Sequence, residues 1–262
     1  VDSQGDDPAG STDAAELPDA PENAEPRRRS RSALLFARDI LFIVLAAVVI
    51  SFVVKTFLVR SFYIPSASME NTLQINDRVL VNELEPSLMP VHRGDVIVFS
   101  DPGGWLSDTA TTPPTGVTAV VDGALAFIGL LPEGGDNHLI KRVIGIPGDH
   151  IACCGADGRL TVNGIAIDEP YLKLPAGVTR ASAVDFDVTV PAGELWVMGD
   201  NRNDSEDSRY HQSLPTKGFV PMTDVVGRAF VITWPIGRWS GLGDYPLTFD
   251  GVDGGTSDTV VR

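Results

Sequence analysis

The chain of 262 residues carries a formal net charge of -15, from 35 acidic and 20 basic side chains. This balance excludes a nucleic-acid partner, because phosphate binding needs clustered Lys and Arg that release counterions. The length leaves room for one large domain or two small ones with a sizeable core. The two cysteines, Cys153 and Cys154, are adjacent, which excludes a disulfide framework and a zinc-type spacing; neighbouring cysteines fit disulfide geometry poorly, so the pair reads as two free or weakly oxidised thiols in a loop.

Residues 1–33 read as a disordered acidic cytoplasmic tail ending in a basic flank. Asp2, Asp6, Asp7, Asp13 and Glu16 stand among Pro, Ala, Gly and Ser with little to bury, and Arg27, Arg28, Arg29 and Arg31 close the tail. Residues 34–60 read as a transmembrane anchor. The apolar run over residues 40–59 is interrupted only by Ser51, Lys55 and Thr56, and about twenty residues at about 1.5 Å each span a hydrocarbon core of about 30 Å. Lys55 lies near the far end, where it can snorkel. The arginines before the run outnumber Lys55 and Arg60, so the positive-inside rule predicts a single pass with the N-terminus cytoplasmic. The run is too long for the core of a cleavable signal, and Lys55, Arg60 and Pro65 intervene before the small residues Ser66 and Ser68.

From residue 61 to 249 the pattern predicts an extracytoplasmic, mainly β domain of antiparallel sheets, a folded sheet pair or partly closed barrel. Candidate strands cover residues 78–82, 95–99, 139–146, 160–162, 165–167, 186–190, 195–198 and 225–234. Asn163-Gly164 is a hairpin signal, because a type I′ turn needs positive φ at both central residues. A Gly, Pro and Thr-rich stretch at about 101–137 reads as an insertion. Within it the apolar residues 124–131 suit either a short buried element or a patch dipping into the outer leaflet. Residues 250–262 read as a flexible tail.

Chemistry centres on Pro65-Ser66-Ala67-Ser68-Met69, which places two hydroxyls just past the anchor. Serine is a weak nucleophile unless a base takes its proton. None of His92, His138, His150 and His211 has a triad context. Lys141 stands in Leu139-Ile140-Lys141-Arg142-Val143-Ile144-Gly145, and apolar neighbours strip the solvation that favours its charged form, which would lower its pKa into a range useful for a general base. A third stretch, from Met198 through Gly199-Asp200-Asn201-Arg202-Asn203-Asp204-Ser205-Glu206-Asp207-Ser208-Arg209, gathers acids, hydroxyls and two arginines in one turn-rich loop.

Together with Arg93-Gly94-Asp95-Val96-Ile97-Val98-Phe99, these blocks resemble in order and wording the type I signal peptidases, membrane-anchored Ser/Lys endopeptidases, in an actinobacterial-like form. The resemblance covers roughly residues 61–149 and 195–234, omitting the insertion and both tails. It implies Ser68 as nucleophile and Lys141 as general base, with Ser66 contributing to the oxyanion hole. It further implies Ser205 as the residue orienting the lysine, Asp207 and Arg209 as a supporting ion pair, and structural roles for Asp200 and Asn201. The expected activity is removal of N-terminal signal peptides from exported preproteins at the outer face of the cell membrane, with no metal and no cofactor. Expected partners are secreted preproteins with signal peptides, membrane lipid and, transiently, the export machinery. Small side chains at the −1 and −3 positions of the substrate are implied as well. Glu70-Asn71 departs from the small or apolar residue and proline of many relatives. A soluble self-cleaving Ser/Lys repressor does not fit a chain with an anchor and no basic patch. A membrane-anchored β-domain that binds without catalysis remains the alternative, because a fold can outlive its activity.

Overall fold

In a computed structural model that describes residues 26–106 and 137–252, the chain divides into two units, residues 1–51 and residues 52–262. Helix α1 (Pro26–Phe57) runs for 32 residues. Its segment Leu35–Phe52 is long and apolar enough to cross a membrane, and among the described residues it is the one such helix. Leu41, Phe42, Ile43, Leu45 and Ile50 are all exposed, so apolar side chains surround the helix instead of lining one stripe, which is the pattern of a segment solvated by lipid. Arg38 and Asp39 within it form a local ion pair at 2.9 Å. By length and composition α1 thus suits a membrane anchor. The acidic tail expected at residues 1–25, the insertion at residues 107–136 with its apolar residues 124–131, and residues 253–262 lie outside the described residues.

The second unit is built from strands β1 (Val59–Tyr63), β2 (Arg78–Asn82), β3 (Val96–Ser100), β4 (His138–Gly145), β5 (His150–Cys153), β6 (Leu160–Val162), β7 (Ile165–Ala166), β8 (Phe186–Thr189), β9 (Glu194–Met198), β10 (Val220–Pro221), β11 (Val225–Trp234) and β12 (Ser240–Gly241). One sheet runs β1-β2-β11-β3-β4-β9-β10, with β12 on β11, and a second runs β7-β6-β5-β8. Every ladder between these strands is antiparallel. Asn163 and Gly164 join β6 to β7 with φ of 51° and 80°, the positive pair that a type I′ turn requires.

Strands alternate their side chains between two faces, and here both faces of the large sheet are covered. Val96 and Val98 of β3 pack with Phe62, Met69, Leu73 and Ile140, whereas Ile97 and Phe99 pack with Val143, Leu195, Val197 and Val225 on the other side. This explains the unbroken apolar reading of β3, which a strand with one wet face would not have. Trp196 and Met198 of β9 turn instead to Ile151, Leu160, Val162 and Phe186, the core between the two sheets.

Two features depart from the sequence reading. The apolar run carries no mark of where helix becomes strand, since Leu58 and Val59 are as apolar as the residues before them; the structure ends α1 at Phe57 and starts β1 at Val59. The cysteines, expected as free or weakly oxidised thiols in a loop, are paired with each other at the end of β5, a strand the sequence reading did not identify. The peptide between them is cis and their Cα atoms are 2.9 Å apart.

Coverage of both faces of β3 has a measurable consequence. Ile97→Ala and Val98→Ala, adjacent changes on opposite faces, each cost about 2 kcal/mol or more in denaturant unfolding of the detergent-solubilised protein. A value below about 0.5 kcal/mol for either would mean that one face is wet.

Candidate active site

The turn after β1 is held by its own apolar residues. Ile64, Met69 and Leu73 are fully buried, and backbone bonds from Glu70 to Ala67 (2.9 Å) and from Leu73 to Met69 (2.8 Å) close the turn around Ser68. Met69 anchors Ser68 in the core while Pro65 and Ser66 stay exposed. The Ser66 and Ser68 hydroxyls stand 3.3 Å apart.

Lys141 arrives from β4, 73 residues later, where its register partner in β3 is Ile97. Its Nζ lies 2.7 Å from Ser68 Oγ, and the residue is only 4% exposed. Burial removes the water that solvates an ammonium and pulls the amine down to about 8 against the opposing charges of Asp207 and Asp200. The charged form donates to the serine; once neutral, the amine can accept the hydroxyl proton over the same distance.

The loop after β9 closes the third side. Gly199 N–H donates to Asp207 Oδ2 (2.9 Å) and Ser205 Oγ donates to the same oxygen (2.8 Å). Arg209 grips Asp207 through Nε to Oδ1 (2.7 Å) and Nη2 to Oδ2 (2.8 Å), with both side chains wholly buried. Burial acts to raise the Asp207 carboxyl, but Arg209 outweighs it and holds the group below the ordinary carboxylate range. Asn201 stitches the loop to the serine turn, its N–H donating to Ser68 O and its Nδ2 to Ala67 O, each at 3.1 Å. Gly199 is where the two come closest: a Cβ there would lie 2.2 Å from Ser205 Oγ and 2.4 Å from Ser68 O, so any side chain would force the loop off the nucleophile.

All six residues singled out from sequence, Ser66, Ser68, Lys141, Ser205, Asp207 and Arg209, therefore meet in one place. The connection of Ser205 is not the direct one expected. Among the described residues the Lys141 side chain bonds to Ser68 and makes no hydrogen bond to Ser205, whose hydroxyl goes to Asp207.

Sequence reasoning missed the role of Arg142 and its pairing with Asp200. Arg142 is fully buried and donates from Nε (2.8 Å) and Nη2 (2.7 Å) to the two Asp200 oxygens, and from Nη1 to Gly94 O (2.6 Å) and Gly243 O (3.1 Å). Its guanidinium also lies 4.1 Å from the centre of the Tyr171 ring, a cation–π contact in a desolvated place. Burial works against this charge and Asp200 overcomes it, leaving Arg142 above its ordinary value. The available signal was an arginine inside an apolar strand, which must have a partner to be buried.

Known proteins bear on this arrangement. The profile of the family described as "Signal peptidase, peptidase S26" matches residues 37–234. "Signal peptidase I" of Mycobacterium tuberculosis is 39% identical over 257 residues, covering 91% of this chain and 82% of its own. "Probable signal peptidase I" of Mycobacterium leprae is 38% identical over 207 residues, covering 69% and 70% respectively. A crystal structure of a signal peptidase I from Enterococcus faecalis V583 aligns with 53% of this chain and 95% of its own at 26% identity, with a TM-score of 0.33. Matched by that profile over most of its length and by relatives at this level of identity and coverage, the chain belongs to the S26 family of signal peptidases.

Proposed function

We propose that this chain is a membrane-bound serine endopeptidase that removes N-terminal signal peptides from exported preproteins, with Ser68 as nucleophile and Lys141 as general base. The observation that carries the reading is the 2.7 Å approach of a buried amine, lowered to about 8, to a serine hydroxyl. Neutral Lys141 takes the Ser68 proton as Oγ attacks the scissile carbonyl carbon. The oxyanion forms against the Ser68 N–H and the Ser66 hydroxyl. As the C–N bond breaks, Lys141 returns the proton to the leaving amine, and the ester left on Ser68 is hydrolysed by a water that Lys141 deprotonates. Asp207 and Arg209 hold the loop behind the lysine, and Ser205 orients it as part of that loop. No metal or cofactor enters these steps. A domain that only binds has no use for a buried amine with a lowered pKa, which argues against the non-enzymatic alternative.

The sheet offers a place for the substrate. β4 pairs with β3 from Arg142 back to His138, but with β9 only from Arg142 onward. Among the described residues, the half of β4 that ends at Lys141 therefore has one open edge. An extended peptide added along that edge as a strand comes in beside Ser68. The anchor serves the same end, because substrate and enzyme confined to one bilayer meet at a raised effective concentration. By the positive-inside rule α1 is a single pass that leaves the catalytic domain outside, where secreted preproteins emerge and where transient contact with the export machinery and with lipid is expected.

Three outcomes test the reading. Ser68→Ala and Lys141→Ala each lower preprotein cleavage at least about 1,000-fold with the fold intact by circular dichroism; a folded variant that still cuts at the same bond, mapped by mass spectrometry, would overturn the assignment. The pH profile of kcat/KM has an acid limb with its midpoint near 8, since protonating Lys141 removes the base; a flat profile from pH 6 to 9 sinks the lysine's role. Stability rises with pH as activity does. The folded amine titrates below its ordinary value of 10.5, so the charged lysine costs most below about pH 8, and stability recovers as pH rises toward 10.5. Lys141→Met, inactive, is thus more stable than the parent by up to about 3 kcal/mol at pH 6, and thermal unfolding shows the gap closing by pH 10.

A further inference from the structure

Besides Asp207–Arg209 and Asp200–Arg142, a third buried ion pair grips the loop that carries Ser205, and neither of its partners was assigned a role from the sequence. Arg202 is 1% exposed, and the Glu169 side chain 2%. Glu169 belongs to the segment after β7, 33 residues earlier in the chain. Arg202 Nη1 donates to Glu169 Oε2 at 2.9 Å, and its Nη2 to Oε1. The guanidinium then spends its remaining donors on backbone, Nε on Gly199 O and Nη1 on Ala181 O, each at 3.1 Å. Tyr171 donates its hydroxyl to Glu169 Oε1 at 3.0 Å, and Arg209 Nη2 donates to Arg202 O at 2.9 Å.

Gly199 is thereby held at both polar ends. Its N–H goes to Asp207, itself fixed by Arg209, and its carbonyl goes to Arg202, fixed by Glu169. Gly199 is also the residue with no room for a Cβ between Ser205 Oγ and Ser68 O. A small displacement of this peptide therefore moves Ser205 relative to Ser68, and misplacements of about 1 Å can cost about 100-fold in rate.

We propose that Glu169 and Arg202 are positioning residues of the peptidase reaction, acting through the Gly199 carbonyl on the placement of Ser205 against the Ser68–Lys141 pair. The inference rests on the peptidase reading above. A buried ion pair is by itself weak evidence for stability, since desolvation offsets most of its attraction. What this pair secures is geometry: the planar fork meets a carboxylate and two carbonyls at once, which a lysine cannot do.

The test is a double-mutant cycle in full-length protein in detergent micelles, with single-turnover cleavage of a preprotein as readout and the folded fraction measured by circular dichroism at the assay temperature. Glu169→Gln lowers the cleavage rate at saturating substrate about 10-fold or more, with KM within about 3-fold. In a Ser205→Ala background the same change lowers it less than about 3-fold, because the group it positions is gone. Should Glu169→Gln not fold, Arg202→Lys, which keeps the charge and loses the fork, is read through the same cycle with the same expectation. Equal losses in both backgrounds, or a loss that follows the unfolded fraction, overturn the proposal and leave a merely structural pair. A parent protein that cleaves no preprotein sinks the peptidase reading instead, so the two failures are told apart by the parent alone.

Discussion

A lysine amine kept dry beside a serine hydroxyl is the constraint on which the rest of the second unit depends. Dryness alone is not enough, because carboxylates near the amine hold it in its charged form. Asp200 and Asp207 both act on Lys141 in that direction. Each, however, is bound by its own guanidinium, Asp200 by Arg142 and Asp207 by Arg209. The acids can then shape the loop without delivering their full charge to the lysine, and burial wins. A carboxylate in either place without its guanidinium would pull the amine back toward its charged form.

Three stretches distant in sequence build the site, and packing rather than local preference brings them together. Met69 and Leu73 draw the serine turn into the core under β3 and β2, and Ile140 of β4 packs in the same cluster. β4 in turn is fixed by β3 on one side and by β9 on the other from Arg142 onward. Adjacent side chains of a strand face opposite ways, yet Lys141 and Arg142 are both buried and both partnered, one by Ser68 and the other by Asp200. The two cations of one strand thereby have different partners, a serine hydroxyl for Lys141 and a carboxylate for Arg142.

Much of this was legible in the residues, and what was not has physical reasons. Strands such as β2, β6 and β11 are β-branched or aromatic runs bounded by turn residues, and their limits follow from that composition alone. β1 was hidden because its first residue continues the apolar run of the helix, and β5 because His150 and a pair of cysteines do not advertise a central strand. At the site, Ser68, Lys141 and the acidic loop could be singled out because their wording resembles a family's blocks, and the fold brings them together. The partners of Arg142 and Arg202 could not be, since their carboxylates lie 58 and 33 residues away and only the sheet topology brings them close. An arginine amid apolar residues announces that a partner exists without saying where it is.

The point at which β9 leaves the sheet accounts for both the open edge and the loop behind the lysine. Met198, the last residue of β9, stands opposite Arg142. One more paired residue would cover the edge of β4 beside Lys141. Gly199 instead gives its N–H to Asp207 and its carbonyl to Arg202, so the backbone groups that would have extended the ladder are satisfied within the loop. An open strand edge is a liability in a folded protein, because it invites pairing with other chains. Among the described residues it is short here and ends at a serine and an amine 2.7 Å apart. On the proposed reading, a chain that pairs with that edge is delivered to the Ser68 hydroxyl and the Lys141 amine, which turns the ordinary hazard of an exposed edge into the proposed means of taking substrate.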